Sequence, residues 1–152
     1  MNQTYRIFTD GSAIGNPGPG GWGAVVKQEK ARWEMSGSLP WTTISEMELV
    51  AAVEALRPLR DRARVELHSD SEYLIYGMRV FVFQWQRQGW RNRRGSHLQH
   101  RALWAELIGL NARHYIRWTW IKGHNGNGEQ TRADALAYQA ARTLWVQQKA
   151  AA

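Results

Sequence analysis

The succession of strand-like and helix-like stretches most constrains what this chain can fold into. Residues 5–10 alternate in polarity and are rich in β-formers, and residues 22–26 and 31–36 follow as two further strand candidates. The last two are separated only by the charged turn Gln28-Glu29-Lys30. Three neighbouring strands with short connections predict an antiparallel meander. After residue 42 the pattern changes. Thr43 and Glu46 have capping-box spacing, and Leu49, Ala52, Val53 and Leu56 recur at helical intervals behind them. Residues 64–69 read as a strand, 71–78 and 80–88 as short helices stopped at Gly89, and 100–111 as a helix. A strand over 115–121, a loop over 123–128 and a helix over 129–147 complete the order. Strand–helix–strand crossovers require parallel pairing and place helices on both faces. The expected fold class is therefore α/β, a five-stranded mixed sheet in which the meander joins parallel strands, flanked by helices.

A chain of 152 residues suits one domain with a sizeable core. That domain is expected over residues 1–148, with 149–152 a frayed tail. The stretch Gly15-Asn16-Pro17-Gly18-Pro19-Gly20-Gly21 makes residues 11–21 a turn of the chain rather than strand or helix. It lacks Gly-Lys-Ser/Thr and no helix follows it, which excludes a phosphate-binding P-loop. No apolar run approaches the roughly 18 residues of a membrane span. No signal stretch follows Met1. The expectation is a cytoplasmic protein without a membrane partner. With no cysteine, disulfides, thiolate metal sites and thiol nucleophiles are excluded.

The formal net charge of +7 is concentrated. No acid lies between Glu72 and Glu106, whereas Arg79, Arg87, Arg91, Arg93, Arg94 and Arg101 do, with Trp85 and Trp90 among them. A solvated face of surplus arginine is the plain reading. The unbroken run, the exclusive use of Arg and the interleaved indoles favour sugar and phosphate contacts along a nucleic acid.

Against this basic background four carboxylates stand out: Asp10, Glu48, Asp70 and Asp134. Asp10 and Asp70 end predicted strands, where sites gather in parallel sheets. Glu48 and Asp134 lie near predicted helix starts. Singly, each has an ordinary role: a turn at Asp10, a helix cap at Asp70, a favourable dipole position at Glu48 and Asp134. Together they fall at corresponding ends of neighbouring elements. Clustered carboxylates repel and raise one another's pKa values, a conflict that divalent cations resolve. Oxygen donors without sulfur favour Mg²⁺, with Mn²⁺ as a substitute. Two such ions, roughly 3.5–4 Å apart, would clamp an in-line phosphodiester displacement. His124, in the loop after a strand that ends beside the acids, is a candidate for proton transfer or product release. Its plain reading is polar surface.

With these residues in view, the chain resembles bacterial-type ribonuclease HI over almost its whole length. The matching motifs are Phe8-Thr9-Asp10-Gly11-Ser12, the glycine-rich stretch through Trp22-Gly23, Met47-Glu48-Leu49, Asp70-Ser71, Ile121-Lys122-Gly123-His124, and Asp134 with Leu136-Ala137. The resemblance implies a ribonuclease H-like fold and cleavage of the RNA strand of an RNA/DNA hybrid, leaving 5′-phosphate and 3′-hydroxyl ends. It implies that Asp10, Glu48, Asp70 and Asp134 hold two metal ions when substrate is bound, with His124 assisting. Gly11, Ser12 and Asn16 would read 2′-hydroxyls, and Thr43 would belong to a DNA-phosphate pocket. Phe81, Trp85, Trp90, Arg87, Arg91, Arg93 and Arg94 would form a basic protrusion gripping the DNA strand. Ile44, Ser45 and Glu46 replace the amides and arginine common in relatives. Trp41 replaces a basic residue and Glu72 a glutamine. These departures bear on hybrid affinity and leave the metal site intact. A monomer without an obligate protein partner is expected. The alternative from another class is a non-catalytic nucleic-acid-binding domain of the same fold.

Overall fold

The computed structural model describes residues 3–91, 99–123 and 128–152. His124, Arg93 and Arg94 lie outside the described residues. Among the described residues one sheet of five strands runs in the order β3-β2-β1-β4-β5. The strands are β1 (Thr4–Ala13), β2 (Gly18–Gln28), β3 (Ala31–Thr42), β4 (Arg64–Ser69) and β5 (Tyr115–Trp120). β1–β2 and β2–β3 pair antiparallel, with Asp10 opposite Gly23 and Val26 opposite Trp33. β1–β4 and β4–β5 pair parallel, with Phe8 opposite His68 and Ser69 opposite Trp120. The mixed α/β sheet expected from element order is the one observed.

The helices are α1 (Ile44–Leu56), α2 (Glu72–Tyr76), α3 (Val82–Arg87), α4 (Arg101–Arg113) and α5 (Gly128–Ala151). Thr43 caps α1 by accepting the Glu46 amide, as the spacing predicts. Ser71 caps α2 by accepting the Leu74 amide. Between α2 and α3 the chain makes a π turn over Gly77–Phe81, so the two predicted short helices form one run with a step in it. α5 continues to Ala151, past the expected end at residue 147.

The larger part of the core lies between the sheet and α1 and α4. Ile7 and Leu67 from the sheet meet Leu49, Val53 and Leu56 of α1 and Trp104 and Leu107 of α4, all essentially without exposure. On the other face α5 packs Ala133 against Phe8 and Val25. Small residues let this helix approach closely. A Cβ on Gly21 would stand 2.3 Å from the Ala137 carbonyl oxygen, and one on Gly23 2.5 Å from that of Ala133. This corrects the expectation that residues 11–21 only turn the chain. β1 continues to Ala13 and β2 begins at Gly18, with Ser12 opposite Gly21. Low strand propensity is overridden here by a helix that leaves no room for side chains.

Candidate active site

β1 carries Asp10 just beyond its last parallel pair with β4, and Asp70 follows the last residue of β4. Glu48 comes from the second turn of α1, which crosses the same sheet edge. Contact there is close: a Cβ on Gly11 would lie 2.5 Å from the Glu48 amide nitrogen. One carboxylate oxygen each of Asp10, Glu48 and Asp70 lies within 4.8 Å of the others. Asp134, on α5, reaches Asp10 by a side-chain hydrogen bond and adds its charge there, outside that set of three. The four sequence-predicted acids are thus brought to one edge.

Burial dominates the electrostatics of Asp10 and Glu48. Asp10 is pushed up to about 8, first by desolvation and then by the Asp70 and Asp134 charges; the Gly11 amide, donating to its Oδ1 at 2.8 Å, opposes the rise. Glu48 is pushed up to about 7 by desolvation, with Asp70 adding to it. The Ser71 hydroxyl donates to Glu48 Oε2 and works the other way. Among the described residues no Lys or Arg forms an ion pair with Asp10 or Glu48. Two desolvated carboxylates converging with Asp70 in this way form a hard, all-oxygen donor set that fits a divalent cation.

Four neighbours were not singled out by sequence reasoning. Ser71 both caps α2 and orients Glu48. Gln130, buried at the start of α5, donates to the Thr9 carbonyl at 3.0 Å and ties that helix to β1. The Trp120 indole N–H donates to the Asp70 carbonyl at 3.1 Å. Gly123 lies so close to Asp70 that a Cβ would stand 2.8 Å from its Oδ2. Ser71 and Gly123 stand in the motifs Asp70-Ser71 and Ile121-Lys122-Gly123-His124, where no role had been read for either.

The candidate substrate residues divide. Gly11 and Ser12 are half-buried in β1 beside the acids. Asn16 accepts the Ile44 amide on its Oδ1 at 2.9 Å, so it joins the β1–β2 connection to the start of α1. The Thr43 hydroxyl is engaged as the α1 cap at 3.1 Å. Phe81 and Trp85 stack at 5.8 Å with 19° between their planes, Phe81 43 % exposed, and Arg87 and Arg91 are exposed. Trp90 corrects its expectation. At 7 % exposure it belongs to the core cluster rather than to a surface that grips a strand. Interleaving with arginines does not reveal which way a side chain turns.

The RNase H family model matches residues 2–142. Ribonuclease H of Erythrobacter litoralis is 46% identical over 139 residues, covering 91% of this chain and 96% of that protein. Ribonuclease HI of Neisseria meningitidis serogroup B is 41% identical over 141 residues, covering 93% and 97%. Among solved structures, LC9-RNase H1, described as a type 1 RNase H with the type 2 active-site motif, is similar at a TM-score of 0.84. Its identity is 30%, over 95% of this chain and 74% of that one. LC11-RNase H1, solved in complex with an RNA/DNA hybrid, shares the fold at a TM-score of 0.69 and 23% identity, over 91% and 97%.

Proposed function

Because this chain belongs to the RNase H family, we propose that it is a metal-dependent endoribonuclease cutting the RNA strand of RNA/DNA hybrids. The products are a 5′-phosphate and a 3′-hydroxyl. The observation that carries this reading is the convergence of Asp10, Glu48 and Asp70 within 4.8 Å in a desolvated edge without a paired Lys or Arg at Asp10 or Glu48. A domain that only binds nucleic acid has no use for clustered negative charge beside phosphate.

Asp10, Glu48, Asp70 and Asp134 are the residues that would hold divalent ions, two in the presence of substrate, with Mg²⁺ preferred and Mn²⁺ accepted. Bound there, such ions supply Lewis-acid polarisation of the scissile phosphate and a nucleophile at neutral pH. The protein's own part is positional. The Gly11 amide fixes one oxygen of Asp10, and the Ser71 hydroxyl orients Glu48 and favours its ionised form. Backbone groups of Gly11 and Ser12, in β1 beside the acids, would read ribose 2′-hydroxyls. Asn16, its oxygen committed to α1, has its amide nitrogen left to donate to one. Thr43 takes a DNA phosphate, and Phe81, Trp85, Arg87, Arg91, Arg93 and Arg94 flank the DNA strand. His124 moves a proton or helps release product. The working unit is a single catalytic domain, a cytoplasmic monomer needing no protein partner. No helix among the described residues is long and apolar enough to cross a membrane.

The test incubates the protein with labelled RNA/DNA hybrid, duplex DNA and single-stranded RNA, in Mg²⁺, in Mn²⁺ and in EDTA. Cleavage of the RNA strand of hybrid alone, abolished by EDTA, is expected. Hybrid that is bound but uncut in both metals would leave only the non-catalytic binding domain.

A further inference from the structure

Asp70 stands at a junction between two elements and belongs to neither. It follows Ser69, the last residue of β4, and precedes Ser71, the cap of α2. On the strand side the ladder closes with the Ile121 amide donating to the Ser69 carbonyl at 2.9 Å. On the helix side the Leu74 amide goes to the Ser71 hydroxyl and the Ile75 amide to the Ser71 carbonyl, each at 3.1 Å. The Ser71 amide turns back to the Ser69 hydroxyl at 3.0 Å. The Asp70 carbonyl thus falls outside both repeating patterns, on the one site acid that neither strand nor helix fixes.

The end of β5 reaches this junction. The parallel register sets Trp120 opposite Ser69, one residue short of Asp70, and the Trp120 indole N–H donates to the Asp70 carbonyl at 3.1 Å. The chain then passes the side chain itself. A Cβ on Gly123 would lie 2.8 Å from Asp70 Oδ2 and 3.6 Å from its carboxyl carbon. Gly123 is not among the glycines with a left-handed backbone, so the position demands room rather than conformational freedom. Residue 120 holds the main chain of Asp70, and residue 123 bounds its carboxylate.

We propose that Trp120 and Gly123 are positioning residues for the metal site, fixing the bearing of the Asp70 carboxylate from β5. The proposal rests on the metal-dependent reading above and adds to it a segment that acts through Asp70 rather than on the ions. Packing is the competing account of Trp120. A ring 37 % exposed adds little to the core, however, and packing does not require its N–H to meet the carbonyl at the strand–helix junction.

The experiment measures Mn²⁺ binding to the hybrid-free protein by electron paramagnetic resonance, with thermal melts of the metal-free protein alongside. Wild type is compared with Trp120→Phe, which keeps a ring and removes the N–H, and with Gly123→Ala, which drives a methyl group toward Oδ2. Tyr115→Ser, at the far end of β5, is the control. Each of the first two variants is expected to raise the Mn²⁺ Kd by about 10–100-fold, the usual cost of losing a group that orients a metal ligand. Metal-free Tm should stay close to that of wild type. Hybrid cleavage lost at low Mn²⁺ should return at saturating Mn²⁺ with an unchanged KM for hybrid, and the control should match wild type throughout. Wild-type Mn²⁺ affinity in either variant would overturn the proposal. So would a fall in metal-free Tm and kcat at unchanged affinity, the mark of packing alone. Wild type that binds Mn²⁺ and leaves hybrid uncut would fail the nuclease reading, a separate result that leaves the affinity comparison standing.

Discussion

Two groups of acids in this molecule have opposite surroundings. Glu34 on β3 and Glu129 at the start of α5 lie at the surface among bases. Arg132 donates to both oxygens of Glu34 at 2.8 and 3.0 Å, and Arg32 bridges Glu34 to Glu129. Hydrogen bonds from Arg132 and Arg32 hold Glu34 down to about 2. At the sheet edge, Asp10 and Glu48 are buried beside Asp70 and rise to about 8 and about 7. The same functional group is thus cheap to ionise in one place and costly in the other. Structural acids are paired; acids awaiting a cation are left desolvated, and the fold bears the cost.

The comparison is sharpened most by Asp10→Asn. It should lower Mg²⁺-dependent cleavage by about 10³-fold or more, since it removes a donor from the group that would hold the ions. Hybrid binding should persist, and metal-free thermal stability at pH 8 should rise. A calorimetric scan and a cleavage assay read both outcomes, and wild-type speed would end the assignment. Next in size is Ser71→Ala. Removing the hydroxyl that favours ionised Glu48 should cost about 10–100-fold in activity, as loss of a group behind a metal ligand does. The acid limb of the pH–rate profile should shift to higher pH, with Ser71→Thr restoring it.

The two regions should also respond to pH with opposite sign. Asp10 and Glu48 have folded pKa values above their unfolded ones, so their protons stabilise the metal-free fold below about pH 4. That stability is lost as pH rises through about 7 and 8. Saturating Mg²⁺ should flatten this decline in denaturant titrations. Glu34 is depressed, so its contribution is present above about pH 4.5 and fades as pH falls through about 2. The smallest effect is expected of Glu34→Gln: unchanged kcat and a slight fall in Tm at pH 7 that vanishes in strong acid. A large loss of activity there would break the division between paired and waiting acids.

Much of this was legible before any coordinates. Strand and helix order gave the sheet, because alternation, capping and crossovers are local properties. Asp10, Glu48, Asp70 and Asp134 were legible as a group because acids are scarce and sit at element ends. What escaped depends on distant packing. The glycines at 18, 20 and 21 read as loop, yet they are strand, Gly21 lying directly under α5. Trp90 looked like surface beside its arginines, and it fills the core. Asp70 reads as a cap, yet Ser71 takes that place, and its hydroxyl's second task needs the three-dimensional approach of α1.

The π turn over Gly77–Phe81 has a consequence for how such proteins can vary. It inserts one supernumerary residue between a half anchored by buried Leu74 and Ile75 and a half carrying Trp85. Deleting that residue would rotate α3 by about 100° about the helix axis. The stacked Phe81–Trp85 plate would swing to a new bearing while every acid kept its place. A single codon gained or lost at this step would therefore be felt first where Val82 and Trp85 meet the core, not at the acid edge.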